Sequence, residues 1–226
     1  MLTPRPAAPA FHLALPEEVS TLPLVLDSPH SGTALPPGFE TLATREQQLT
    51  AWDAFIPELW RGAVAAGASL IEANFARIVI DPNRAANDID PEMMAGTWPD
   101  AWGKLAPTRY STRGMGLIRK LILPGLPMYA APLTPQEIHQ RIETLYTPYH
   151  CALAGRLDAL HARFGAVWHI NAHSMKSRAN AMNIDLGQAR PDMVLGDLDG
   201  TSAAPDFTDL VERELRACGY SVARNQ

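Results

Sequence analysis

Hydrophobic positions along the chain follow two rhythms. Short, nearly continuous apolar runs read as buried strands. The first, at 22–27, stops at the polar Ser28-Pro29-His30. Runs at 69–73 and 77–80 predict two more strands, the second ending in Asp81-Pro82-Asn83-Arg84. A run at 166–172 predicts a strand that leads into His173-Ser174, and 192–196 predicts another. Between these runs the spacing changes to three and four. Trp52, Phe55, Ile56, Leu59, Trp60 and Ala63 mark a helix over 50–66, in which Pro57 either kinks the helix or sets a later start. The longest helix is predicted over 134–164. Thr134 stands as N-cap, Pro135 in the first turn and Glu137 at the third position. Ile138, Ile142, Leu145, Tyr149, Leu153, Leu157, Leu160 and Phe164 then form one apolar face. A closing amphipathic helix at 204–217 ends at Cys218-Gly219.

Strands alternating with helices predict an α/β fold, a mixed and largely parallel sheet sandwiched by helices. With 226 residues, one domain spanning 1–226 is expected. Ligands bind such sheets beyond the carboxyl ends of the strands. Three predicted strand ends carry polar chemistry: His30, the Asp81–Asn83–Arg84 group, and His173. The stretch 85–133 is rich in Gly, Pro and Trp, and is expected to wall the site and select the substrate.

Composition narrows the possibilities. Hydrophobic residues make up 46% of the chain and charged residues 19%, which suits a globular core. The net charge of −5 comes without any Lys/Arg block, so nucleic acid is not an expected partner. No apolar run is long enough for a bilayer, so no membrane is expected either. The Pro/Ala-rich start over residues 1–10 lacks a signal-peptide pattern, making the cytoplasm the expected location. Cys151 and Cys218 are far apart and read as reduced thiols.

Of the seven histidines, His139, His150 and His161 lie on the long helix and read as surface or boundary residues, and His169 lies mid-strand. His30 and His173 stand where apolar runs stop. Two imidazoles from neighbouring strand ends plus one carboxylate make a three-ligand metal site with an open position; the alternative is that both only cap strands by hydrogen bonds. Asp53, Asp27 and Asp81 are the candidate carboxylates, and Asp27 could instead orient His30 from behind. Arg77 and Arg84 flank the apolar run at 77–80. Either they grip a substrate carboxylate and an oxyanion, or they pair structurally with Asp81, Asp88 or Asp90.

Taken in order, Ser28-Pro29-His30-Ser31-Gly32, Trp52-Asp53, Ala76-Arg77 through Asp81-Pro82-Asn83-Arg84, Asn171-Ala172-His173-Ser174-Met175, and Leu195-Gly196-Asp197 with Gly200 resemble the N-formylglutamate amidohydrolase family. The resemblance covers the chain from about residue 22 onward. It implies a fold similar to zinc-dependent exopeptidases and aspartoacylase-like deacylases, one zinc or similar divalent ion per chain, and a small N-acyl amino acid as substrate. It implies His30 and His173 as metal ligands, for which Asp53 is chosen as the third, carboxylate ligand, and Arg77 as the group that polarises the scissile carbonyl. Asn83, Arg84 and Ser174 are implied as substrate-binding residues. It also implies a role in histidine breakdown. Two departures stand out. Thr33 occupies the third position after His30, where many zinc exopeptidases carry Glu. Family members also continue into a C-terminal segment with a Glu-x-Asn-Arg-like stretch, whose Glu resembles a general base; this chain is expected to stop short of it. A related deacylase with another acyl specificity and a non-catalytic binding protein are the alternative readings, and the sequence does not speak to oligomeric state.

Overall fold

The computed structural model describes residues 9–178, 187 and 189–225. The first eight residues of the Pro/Ala-rich start lie outside them. The chain divides into two compact units, residues 1–174 and 175–226.

The first unit is built on a four-stranded sheet. Its strands are β1 (Phe11–Ala14), β2 (Leu24–Ser28), β3 (Ser69–Ala73) and the strand Trp168–Asn171, which becomes β6 in chain order. The spatial order is β1-β3-β2-β6. β2 pairs parallel with both β3 and β6, and β1 adds an antiparallel edge. The sheet is therefore mixed and largely parallel.

Side chains alternate across it. Val25 and Ile71 face one core with Tyr149, Leu153 and Leu160 of helix α4 (Thr147–Phe164). Leu26 and Leu70 face the other, where Trp60, Ala63 and Val64 of α2 (Ile56–Ala65) pack. Helices thus cover both faces, and the central strand β2 is buried along most of its length.

Several predicted elements take a different form. Residues 77–80 are not a strand: the Val79 amide donates to Ala76 O at 2.9 Å, which closes a turn. Ile78, Val79 and Ile80 are all buried, but Ile78 and Val79 enter one core cluster and Ile80 another. A continuous apolar run was satisfied by an irregular segment lodged between two cores. The helix expected over 50–66 starts only at Ile56, with Pro57 in its first turn and Phe55 at φ 62° before it. The short helix α1 (Arg45–Leu49) precedes it under a Thr44/Gln47 capping box.

The long helix begins at Thr134, whose hydroxyl accepts from the Glu137 amide while the Glu137 carboxylate accepts from the Thr134 amide. It runs as α3 (Pro135–Arg141), a π-helical segment (Ile142–Tyr146) and α4. Pro148 cannot donate to the carbonyl four residues earlier, and the wider turn just before it absorbs that break. Gly165 ends α4 at φ +77°. Within 85–133 a small antiparallel pair forms, β4 (Leu121–Leu123) with β5 (Leu126–Pro127).

In the second unit β7 (Met193–Leu195) pairs parallel with β8 (Val222–Arg224), and α5 (Pro205–Ala217) connects them. Asp197 accepts from the Gly200 amide and from Asn225 Nδ2, which closes the Leu-Gly-Asp turn. Both cysteines are free and exposed. Among the described residues no helix is long and apolar enough to cross a membrane.

Candidate metal centre

The centre lies just beyond the carboxyl ends of β2 and β6. His30 sits two residues after β2 and is buried; His173 sits two residues after β6. Because the two strands pair in parallel, with Asp27 opposite Asn171, their imidazoles emerge side by side, with ring centroids 4.7 Å apart. Gly32 lets this loop pass the neighbouring chain, since a Cβ there would collide with the backbone of Ala73, Asn74 and Phe75.

Asp53 reaches the same place from the loop before α2. Its amide donates to His30 O at 3.1 Å, and the Trp52 indole donates to Ser31 O at 2.8 Å, so the two loops are held together. Asp53 Oδ2 lies 3.3 Å from His30 Nδ1 and 2.8 Å from His173 Nδ1. One donor atom from each of the three residues lies within 4.8 Å of the others. Burial would raise the Asp53 carboxyl, but its hydrogen bonds to His173 and His30 hold it well below the ordinary carboxylate range.

The far side of each ring is also held. His30 Nε2 lies 2.7 Å from Asp81 Oδ1, so the ring is held between two carboxylates with Nδ1 towards Asp53. Asn83 Nδ2 contacts His173 Nε2 at 3.2 Å, and Asn171 Nδ2 donates to Asn83 Oδ1. Asp27 does not orient His30. It accepts from the Tyr149 hydroxyl at 2.6 Å and from His169 Nε2 at 2.8 Å. Its strand position points it into the core beneath, and it is Asp81 that serves His30.

Asp81 is fully buried and uses all its acceptor capacity. Oδ1 takes His30 and the Asn83 amide at 3.0 Å; Oδ2 takes Arg77 Nε at 3.2 Å and Nη2 at 2.5 Å. Burial pushes its carboxyl up, yet the Arg77 and His30 charges hold it well below the usual range. Arg77 is thus anchored through two of its nitrogens, while Nη1 makes no hydrogen bond among the described residues. Arg84 donates from Nε to Met115 O at 3.1 Å and lies over the Tyr110 ring, 4.1 Å from its centroid. Asn83 is exposed, and Ser174 is exposed directly after His173.

Sequence reading missed two residues here. Asp81 appeared only as a candidate ligand or an arginine partner, and its contact with His30 spans 51 positions. Arg119 gave no signal beyond its place after the apolar Leu117-Ile118. It is buried, and its Nε has no partner among the described residues. Burial and the nearby Arg77 charge pull its pKa down to about 10.

A cluster of two imidazoles and a carboxylate, with His30 and Asp53 buried and His173 exposed, at the ends of parallel strands and beside guanidinium groups, defines an α/β protein whose centre suits a divalent metal and an anionic ligand. The profile of the N-formylglutamate amidohydrolase family matches residues 22–226, and the chain belongs to that family. It is 30% identical over 208 residues to an N-formylglutamate deformylase from Pseudomonas aeruginosa, and equally to one from Pseudomonas putida. Each match covers 90% of this chain and 70% of the relative. A crystal structure of N-formylglutamate amidohydrolase from Ralstonia eutropha superposes with TM-score 0.90 at 44% identity, over 96% of this chain and 77% of that one. A crystal structure from Agrobacterium tumefaciens shares the fold, with TM-score 0.63 at 18% identity.

Proposed function

We propose that this protein hydrolyses N-formyl-L-glutamate to formate and glutamate at a single divalent metal, zinc being the best fit, held by His30, Asp53 and His173. The observation that carries this is the convergence of both imidazole Nδ1 atoms on one buried carboxylate, with their far sides held by Asp81 and Asn83. Two imidazoles and a carboxylate are the donor set of open, catalytic zinc sites. A divalent ion there would supply Lewis acidity to the formyl carbonyl and lower the pKa of water.

The chain's own residues bind and orient the substrate. Asp81 fixes the His30 ring. Arg77, braced by Asp81, has Nη1 left to donate to the formyl oxygen as negative charge develops there. Arg84, braced by Met115 O and Tyr110, presents the rest of its fork to the substrate α-carboxylate. Asn83 and Ser174 line the same opening. Names of the relatives and the family match support the formyl group and glutamate as substrate parts.

The test is formate release from N-formyl-L-glutamate by chelator-stripped protein, with and without added zinc. Formate appearing only with the ion, at one ion per chain, is the expected result. Zinc bound at that ratio without formate would refute the substrate, and no binding at all would refute the centre.

A further inference from the structure

Among the described residues Arg119 is a buried cation whose Nε has no hydrogen-bond partner. It follows Leu117 and Ile118, whose side chains are locked in the core. Its loop is fastened to the turn that carries the site: the Asp81 amide donates to Leu117 O at 2.8 Å, the Leu117 amide to Asp88 O at 2.8 Å, and Met115 forms a β-bridge with Arg119. Met115 O is also the anchor of Arg84. Arg119 therefore lies close enough to Arg77, Arg84, Asp81 and Asp53 for their charges to act on it.

No hydrogen bond reaches its guanidinium among the described residues, and Nε is both buried and unpartnered. Neither nearby carboxylate bonds it. Asp81 is filled by Arg77, His30 and the Asn83 amide, and Asp53 holds both imidazoles on Oδ2. Three guanidinium groups thus face two carboxylates, an excess of one positive charge before any metal is counted. A buried unpaired charge is costly and persists where something else uses it.

We propose that Arg119 receives the side-chain carboxylate of an acidic N-acyl amino acid and so makes the site select a dicarboxylate. This rests on the proposed deformylase reading, which gives the α-carboxylate to Arg84 and leaves a second anion without a fork. Arg119 has five N–H donors to offer it. A substrate with a neutral side chain leaves the cation uncompensated, which is how such a site rejects the wrong ligand.

The metal-loaded protein and its Arg119→Met and Arg119→Lys variants would be assayed on N-formyl-L-glutamate and on the neutral isostere N-formyl-L-glutamine. Arg119→Met is expected to lower kcat/KM on the glutamate substrate by on the order of a hundredfold. Its rate on the glutamine substrate stays within about threefold of wild type, and Arg119→Lys recovers part of the loss. Equal losses on both substrates, or no loss on either, would overturn the assignment.

A thermal-shift experiment with glutarate separates this from the deformylase reading. Glutarate should raise the Tm of wild type but not of Arg119→Met. Without ligand the variant should melt no lower than wild type, because a desolvated unpaired charge has been removed. A glutarate shift that needs Arg119, in a protein releasing no formate, would sustain the dicarboxylate site and sink the deformylase reading. A glutarate shift equal in both proteins, or a variant that melts lower without ligand, would overturn the role of Arg119.

Discussion

At the scale of single residues, Asp81 joins more of the site than any other side chain. It holds the His30 ring at Nε2, braces Arg77 and closes the turn that carries Asn83. Carboxylates that orient metal-binding imidazoles typically account for about 10- to 100-fold in metal affinity. Asp81→Asn is therefore expected to weaken zinc binding by about that factor, measured by competition with a chromophoric chelator; unchanged affinity would refute the orienting role.

The same residue shapes acid stability. The Asp53 and Asp81 carboxyls sit below the value they would have unfolded, about 3.9. Their stabilisation is fully present above that pH and is lost as pH falls towards the folded values. Metal-free wild type should lose Tm steeply below about pH 4, and Asp81→Asn should show a shallower acid limb.

Asp27 offers a structural counterpart. Tyr149→Phe removes a donor from its buried Oδ2 and should cost about 1–3 kcal/mol, read from the urea unfolding midpoint. The tyrosine hydroxyl itself is raised by burial and by the Asp27 charge, so it stays protonated beside the acid.

At the scale of elements, local chemistry decides where segments begin and bend. Thr134 and Glu137 reciprocally cap the long helix, and Thr134→Ala should cost about 1 kcal/mol. The π-helical segment ahead of Pro148 shifts the register of everything beyond it. Tyr149 reaches Asp27 and His150 Nε2 donates to Pro82 O at 2.9 Å from that shifted frame. The loop after β2 depends on Gly32, where any side chain meets backbone on the neighbouring strand's exit. Gly32→Ala should cut both stability and zinc affinity, because it displaces the segment that carries His30. Circular dichroism melting and a binding titration would show both effects together.

At the scale of the whole molecule, the sheet acts as a frame that holds two distant loops in register. Metal binding to the folded centre but not to the unfolded chain must stabilise the fold by mass action, by about 2.7 kcal/mol at a hundredfold excess over Kd. Zinc should therefore raise the Tm of wild type and leave that of His173→Ala unmoved. An equal shift in both would place the ion elsewhere.

The sequence by itself determined the elements whose signals are local. Apolar runs gave β2, β3 and β6, three-and-four spacing gave the long helix and α5, and the Thr-Pro-x-Glu start gave its cap. It also placed His30 and His173 at strand ends, where α/β sheets bind ligands. The segment 77–80 defeated that logic, because an apolar run reports burial and not hydrogen bonding. Which acid serves which imidazole is settled by the closed fold. The contacts of His30 with Asp53 and Asp81 and of His173 with Asp53 span 23, 51 and 120 positions. Hydrogen-bond partners at such separations depend on how strands order themselves in the sheet, and periodicity holds no record of that. Arg119 belongs to the same class. Its sequence context announces burial, but that its Nε stands without a partner among the described residues is a property of the closed fold alone.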